Sequence, residues 1–200
     1  MRKSKEATKE TTTQIIKTAL QIFSKKGYES TNLQDIADEL GITRTPIYYH
    51  FRNKLILFER TTKDYLNEKR NVYVDIFTSD ESIFDKVRSD LMQCAQRGIM
   101  EITLFMGLDA LPELEKVRKD KDETYRFIYD TKIQAVKQAI SQGELRPDTD
   151  PGDFVNNCYV LFHGIVGMVK EPFFHNLSKD DIMKLIDTSI QGMMVKYKNT

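Results

Sequence analysis

Eleven consecutive residues, Gly41-Ile42-Thr43-Arg44-Thr45-Pro46-Ile47-Tyr48-Tyr49-His50-Phe51, hold an arginine, two threonines, two tyrosines and a histidine. These are side chains that meet nucleic acid. An arginine can grip guanine O6 and N7 bidentately, a contact contributing about 1–3 kcal/mol of discrimination, and a threonine methyl or a proline ring can touch a thymine methyl. Hydroxyl and imidazole groups can donate to phosphate oxygens, which fixes register without reading sequence. The spacing makes the set a short helix entered by a tight turn. Gly41 ends what precedes it, Thr43 is a good N-cap, and Pro46 falls in the first helical turn, where its missing N–H costs nothing. Arg44 and Thr45 then stand at the N-terminal end, the end that a recognition helix puts into the major groove.

The preceding segment fits that role. Thr31 as N-cap and Gln34 three residues on can form a capping box. Leu33, Ile36, Ala37 and Leu40 follow on one helical face. Ile47 and Phe51 give the next helix an inward side, so two short helices meet at a glycine turn, a helix-turn-helix pattern. A longer helix lies upstream, with Ile15, Ile16, Ala19, Leu20 and Phe23 at helical spacing. Thr11 to Thr13 offer its N-caps, and Gly27 closes it after Lys25-Lys26. Before it, Arg2, Lys3, Lys5 and Lys9 read as a loose basic arm. Asn53 is a plausible cap for a fourth helix starting near Lys54, whose amine and N-terminal N–H groups would sit beside a phosphate. Taken singly, one of Tyr48 and Tyr49 can also be read as a partly buried packing aromatic, His50 as a capping or packing histidine, Lys54 as a solvated lysine and Arg44 as a surface arginine.

Charge follows the same division. The 200 residues carry 30 basic and 30 acidic side chains, but residues 1 to 60 hold 11 of the first and 7 of the second. The resulting +4 lies with the helix-turn-helix, as phosphate binding requires, and the −4 with the remainder. The three histidines are scattered, no Cys/His/Asp set has metal-ligand spacing, and there is no glycine-rich phosphate loop or nucleophile motif, which argues against an enzyme, a metal or a cofactor. The polar N-terminus is unlike a secretory signal. No apolar stretch approaches the ~20 residues of a membrane span. Cys94 and Cys158 sit in apolar helical contexts and read as reduced, buried thiols of a cytoplasmic protein.

The chain resembles the TetR-type transcriptional regulators. The resemblance rests on Ile16-x-x-Ala19-x-x-x-Phe23, Gly27-Tyr28, Ile36-Ala37-x-x-x-Gly41-Ile42-Thr43, Ile47-Tyr48-Tyr49-His50-Phe51-Arg52-Asn53-Lys54 and Leu57-Phe58, roughly residues 15 to 58. Leu55 departs from it, since family members usually carry Glu there, and Pro46 is an uncommon choice that bears on which bases are read. The resemblance implies that Thr31, Thr43, Tyr49, His50 and Lys54 contact phosphates, while Arg44, Thr45, Pro46 and Tyr48 face base edges. It implies an all-α fold with a helix-turn-helix DNA-binding domain over residues 1–55 and a helical effector-binding and dimerisation domain over 56–200.

Helical patterning continues through that second part. The fourth helix extends toward Tyr73 or Phe77, and Ser79 to Ser82 break and cap. Ile83 to Cys94 form one amphipathic stretch, Gly98 interrupts, and Ile99 to Leu111 follow before Pro112. A long helix runs from about 114 to 142, residues 143 to 151 are a loop, and Phe154 to Val169 form an apolar helix closed by Glu171-Pro172. Ser178 caps a last helix to about Tyr197. The resemblance pairs the last two helices across a two-fold axis, with Phe154, Leu161, Ile165, Ile182, Leu185, Ile186 and Met193 as candidate interface and Gly164, Gly167 and Gly192 permitting close approach. A subset of Met92, Met100, Phe105, Met106, Tyr125, Tyr129, Phe162 and His163 is expected to line a cavity for a small, mostly apolar effector, with His163 or Glu101 meeting a polar group. The function expected is a homodimeric repressor of an inverted-repeat operator in double-stranded DNA, released when effector shifts the population toward a form that fits the operator less well. The competing reading is a DNA-binding adaptor or activator without an effector.

Overall fold

A computed structural model describes residues 2–170 and 177–199. Among them eight α-helices follow in order: α1 Arg2–Lys26, α2 Leu33–Leu40, α3 Arg44–His50, α4 Lys54–Thr78, α5 Ile83–Leu104, α6 Glu115–Ser141, α7 Pro151–Lys170 and α8 Lys179–Tyr197. Pro112–Leu114 forms a single 3-10 turn before α6. The described residues hold no β-strand, only an antiparallel bridge between Leu145 and Lys198. None of the described helices is long and apolar enough to cross a membrane. The expected stop at Glu171-Pro172 lies outside the described residues.

Several expected boundaries move. α1 starts at Arg2, so the basic segment is helix rather than loose arm, and Thr11 to Thr13 lie inside it instead of capping it. Thr13 is accommodated there because its hydroxyl donates to the Lys9 carbonyl one turn back, at 3.0 Å. The cap of α2 is Asn32, not Thr31: its Oδ1 accepts from the N–H groups of Gln34 and Asp35, and Asp35 accepts from the Asn32 N–H. The capping box is therefore shifted by one residue. Gly98 does not interrupt α5, which runs unbroken to Leu104. A Cβ at Gly98 would stand 2.5 Å from a Val166 methyl of α7, so the glycine serves a close helix crossing and not a break. Ser178 caps α8 as expected, in a reciprocal box with Asp181.

The chain forms two compact units, one of Met1–Glu68 with Met100–Thr124, the other of Lys69–Ile99 with Tyr125–Thr200. A single cut after residue 55 does not coincide with this division, because α4, α5 and α6 each carry the chain from one unit into the other. The first unit is built on Phe23, Tyr28 and Phe58. Phe58 meets Phe23 edge-on at 4.8 Å and Tyr28 at the same separation. Ile15, Ala19, Ile36, Ile47, Leu57 and Leu104 surround them. The second unit packs Tyr73, Phe84, Leu91, Val136, Phe154, Ile186 and Ile190 into its own core.

Candidate functional site

The reading head is positioned by its turn. Gly41 adopts φ 64°, a left-handed conformation that favours glycine. That conformation lets the Ile42 N–H reach the Ala37 carbonyl at 3.0 Å and the Gly41 N–H reach Asp38 at 3.1 Å, closing α2. Thr43 occupies the N-cap position of α3 in extended conformation, but its hydroxyl makes no capping bond and stays exposed. Ile47 is fully buried and Phe51 nearly so, which anchors one side of α3 in the first unit's core. The opposite side stands open: Arg44 and Thr45 are exposed, and Tyr48 and Tyr49 retain 50% and 80% of their accessible surface. Large aromatics this exposed are not packing residues, so the bland reading of the two tyrosines fails. Pro46 is half-buried in the first turn.

The remaining three members of the expected set have intramolecular partners. Thr31 is buried, and its hydroxyl donates to the Gly27 carbonyl at 2.7 Å. Its surface is closed to a phosphate in this conformation, because the side chain ties the α1–α2 loop together. Lys54 is half-buried and donates to the carbonyls of Tyr28 and Glu29 at 2.9 and 3.4 Å, with Nζ 4.3 Å above the Tyr28 ring. His50 is half-buried, with Nδ1 3.1 Å from Thr12 Oγ1 on α1. Asn53 caps α4 through Ile56 N–H at 2.9 Å, as its position implied.

The second unit holds a polar cluster that patterning did not single out. Lys132 on α6 is buried and forms a short ion pair with Asp90 on α5. Its ammonium also lies over Tyr159 at 4.7 Å, Tyr73 at 5.2 Å and Phe77 at 5.5 Å. The other Asp90 oxygen accepts from Cys94 Sγ at 3.6 Å, and Cys94 meets the Tyr73 hydroxyl at 3.7 Å. Burial disfavours the charged ammonium, but the Asp90 charge and then Tyr159 outweigh it, leaving Lys132 above its ordinary pKa. Burial first, and the Asp90 charge second, push the Tyr73 hydroxyl and the Cys94 thiol up, so both stay protonated. A readable signal existed: Lys132 lies on the apolar stripe Ile128, Ala135, Val136 and Ala139, and Asp90 beside Val87, Leu91 and Cys94. A charge at a core position of an amphipathic helix calls for a buried partner.

The expected effector candidates separate between the units. Met92, Tyr129 and Phe162 pack half-buried against the second core, and Tyr129 stacks on Tyr159 at 6.0 Å. Tyr125 lies under the Lys69 ammonium at 4.7 Å, and His163 is exposed and edge-on to Phe162. Met100 and Phe105 belong to the first unit and pack on its core, while Met106 there is 61% exposed. Of the expected interface, Phe154, Ile186 and Met193 are core residues of the protomer, with almost no surface left for a partner to cover. Leu161, Ile165 and Ile182 are half-buried and Leu185 is exposed. Val160 and Val195, which patterning passed over, are more open apolar residues of α7 and α8, at 70% and 88%. Among the described residues no cluster of His, Cys, Asp and Glu could hold a metal ion.

Comparison with known proteins agrees with this geometry. Residues 15–61 match the family described as bacterial regulatory proteins, tetR family. The HTH-type transcriptional regulator TtgR of Pseudomonas putida is 33% identical over 208 residues, covering 95% of this chain and 94% of that protein. The regulator AcrR of Shigella flexneri is 30% identical over 192 residues, covering 92% and 87%. A transcriptional regulator from Saccharomonospora viridis in complex with choline shares the fold, with a TM-score of 0.74 at 16% identity over 96% of this chain and 100% of that one.

Proposed function

From the membership of this chain in the TetR family of helix-turn-helix transcriptional regulators, we propose that it is a homodimeric repressor of an inverted-repeat operator, released by a small molecule held in its second unit. DNA-binding regulation, rather than catalysis, is what the family does. The observation that carries the operator reading is the open face of α3. Arg44, Thr45, Tyr48 and Tyr49 project from a helix whose other side is locked by Ile47 and Phe51. In this reading Arg44, Thr45, Pro46 and Tyr48 face base edges, and Thr43, Tyr49 and His50 face phosphates. Lys54 acts mainly by holding the α1–α2 loop against the start of α4.

One α3 reads few bases, so a second copy is needed to read a second half-site about one helical turn or more away. Val160, Gly164 and Gly167 on α7, with Leu185, Gly192 and Val195 on α8, supply an open face with small residues for a two-fold contact. Tyr129 and Phe162, both against the Tyr159 ring that lies under the Lys132 ammonium, and Met92 on the same core are the preferred effector-facing residues, and the choline complex of the Saccharomonospora viridis protein is a precedent for a small ligand in this fold. A regulator of this kind works in the cytoplasm, where the chromosome is.

Selection of bound duplexes from a random pool at near-physiological salt tests this directly. Recovery of an inverted repeat supports the dimeric operator reading. Salt-sensitive binding without a recovered motif would sink it and favour a non-specific adaptor. Effector control is then read on the recovered duplex: a compound that binds tightly yet leaves operator affinity unchanged is not the effector.

A further inference from the structure

His50 and Thr12 lie 38 positions apart in the chain, yet Thr12 Oγ1 and His50 Nδ1 are 3.1 Å apart. Two rings complete the setting of the imidazole: Tyr49 edge-on at 5.1 Å and Phe51 tilted at 6.3 Å. Both are chain neighbours of His50, so the directional contact that orients the imidazole across the fold is the one at Nδ1. The two nitrogens of an imidazole point to different sides. With Nδ1 turned to α1, Nε2 is directed away from it.

A threonine hydroxyl suits this position because it both donates and accepts. When it donates to Nδ1 of a neutral ring, the ring proton sits on Nε2. When the ring is protonated, the hydroxyl accepts from Nδ1–H and Nε2 keeps its hydrogen. In these two states Nε2 can donate outward while Nδ1 stays paired; in the other neutral tautomer the hydroxyl accepts from Nδ1–H and Nε2 only accepts, so a phosphate, which only accepts, selects the first two. Thr12 also borders an open groove of about 400 Å³ between α1 and α4, alongside Ile16, Arg60 and Tyr65.

We propose that Thr12 is a positioning residue for DNA binding, holding the His50 imidazole so that Nε2 meets a backbone phosphate as a donor. This rests on the reading of α3 given above. Thr12 then acts through His50 and has no base to read.

The test uses the full-length protein with Thr12→Val, Thr12→Ser and His50→Ala, the double variant Thr12→Val/His50→Ala, and the duplex recovered by selection. Thr12→Val is expected to weaken operator binding by about three- to ten-fold without changing the preferred sequence, and Thr12→Ser to restore it. In the His50→Ala background Thr12→Val should add nothing. In the free protein, nitrogen chemical shifts of the His50 ring should change with Thr12→Val and return with Thr12→Ser. Thr12→Ala removes the hydroxyl without placing a second methyl at the groove, and is the variant to use if Thr12→Val fails to fold. Unchanged affinity in the hydroxyl-less variant, or an equal loss with and without His50, overturns the inference. If the wild-type protein selects no sequence at all, the reading of α3 falls first, and the ring shifts still report whether the contact exists.

Discussion

Thr31, Thr61 and Thr62 in the first unit and Lys132 and Asp90 in the second are all buried, but their polar atoms are satisfied over very different distances along the chain. Each of the three threonines donates to a carbonyl four residues back, at 2.7 to 2.9 Å. Lys132 reaches 42 positions to Asp90 and is ringed by Tyr73, Phe77 and Tyr159 from other helices. Local satisfaction of these threonines leaves their part of the first core to apolar packing, while Lys54 and the Thr12–His50 contact tie the reading head across longer spans. The second unit keeps a charged pair in its interior, where removing one partner is far more costly than replacing both. Its energy responds steeply to what happens beside that pair, which is a property the proposed effector response can use.

The largest expected effect tests that contrast. Lys132→Met should cost about 3–5 kcal/mol in denaturant unfolding by stranding Asp90, and a second change, Asp90→Leu, should recover much of the loss. A cost below about 1 kcal/mol would mean the pair is not the dominant feature of the second core. Arg44→Ala should do the reverse, leaving stability unchanged while giving up about 1–3 kcal/mol of discrimination at one position of each half-site. Loss of affinity by the same factor on random and selected duplexes would instead assign Arg44 to the backbone. Asn32→Ala should lower stability by about 1 kcal/mol through loss of the α2 cap, and a neutral result would return the capping role to another residue.

The smallest effect is a pH slope. Burial first, with the Asp90 charge adding to it against Lys132, leaves the Cys158 thiol at about 12, against an ordinary 9.0. The folded state holds this proton more tightly than the unfolded chain, so the stability it contributes is complete below about pH 9 and disappears as pH rises through 12. Cys158→Ala should flatten the fall in stability across that window. An unchanged slope would show that other groups account for it, first the Cys94 thiol, which burial pushes up more strongly from the same ordinary value.

Most of the reading head was legible from residue order. Gly41, Asn53 and the apolar period of α2 act within three or four residues of themselves, and each does what its type and position imply, as does Ser178 at the start of α8 in the second unit. Where neighbours offered the same chemistry, order alone did not choose. Thr31 and Asn32 are both good caps, and Asn32 takes the role because Thr31 turns inward to the Gly27 carbonyl. The exposed set on α3 likewise followed from the buried positions of Ile47 and Phe51, whereas the partners of Lys54 and His50 lie 26 and 38 residues away.

By itself the sequence determined an all-helical chain, a glycine-turned pair of short helices and an excess of positive charge beside them, because capping, turn conformation and amphipathic period are short-range properties. Only the tertiary structure decided that α5 continues through Gly98 against Val166, that Lys132 finds Asp90, and that Phe154, Ile186 and Met193 are spent inside the protomer while Val160 and Val195 stay open. Helical spacing says which residues share a face. Which face is covered, and by what, depends on contacts between segments tens of residues apart, and those form only when the helices pack.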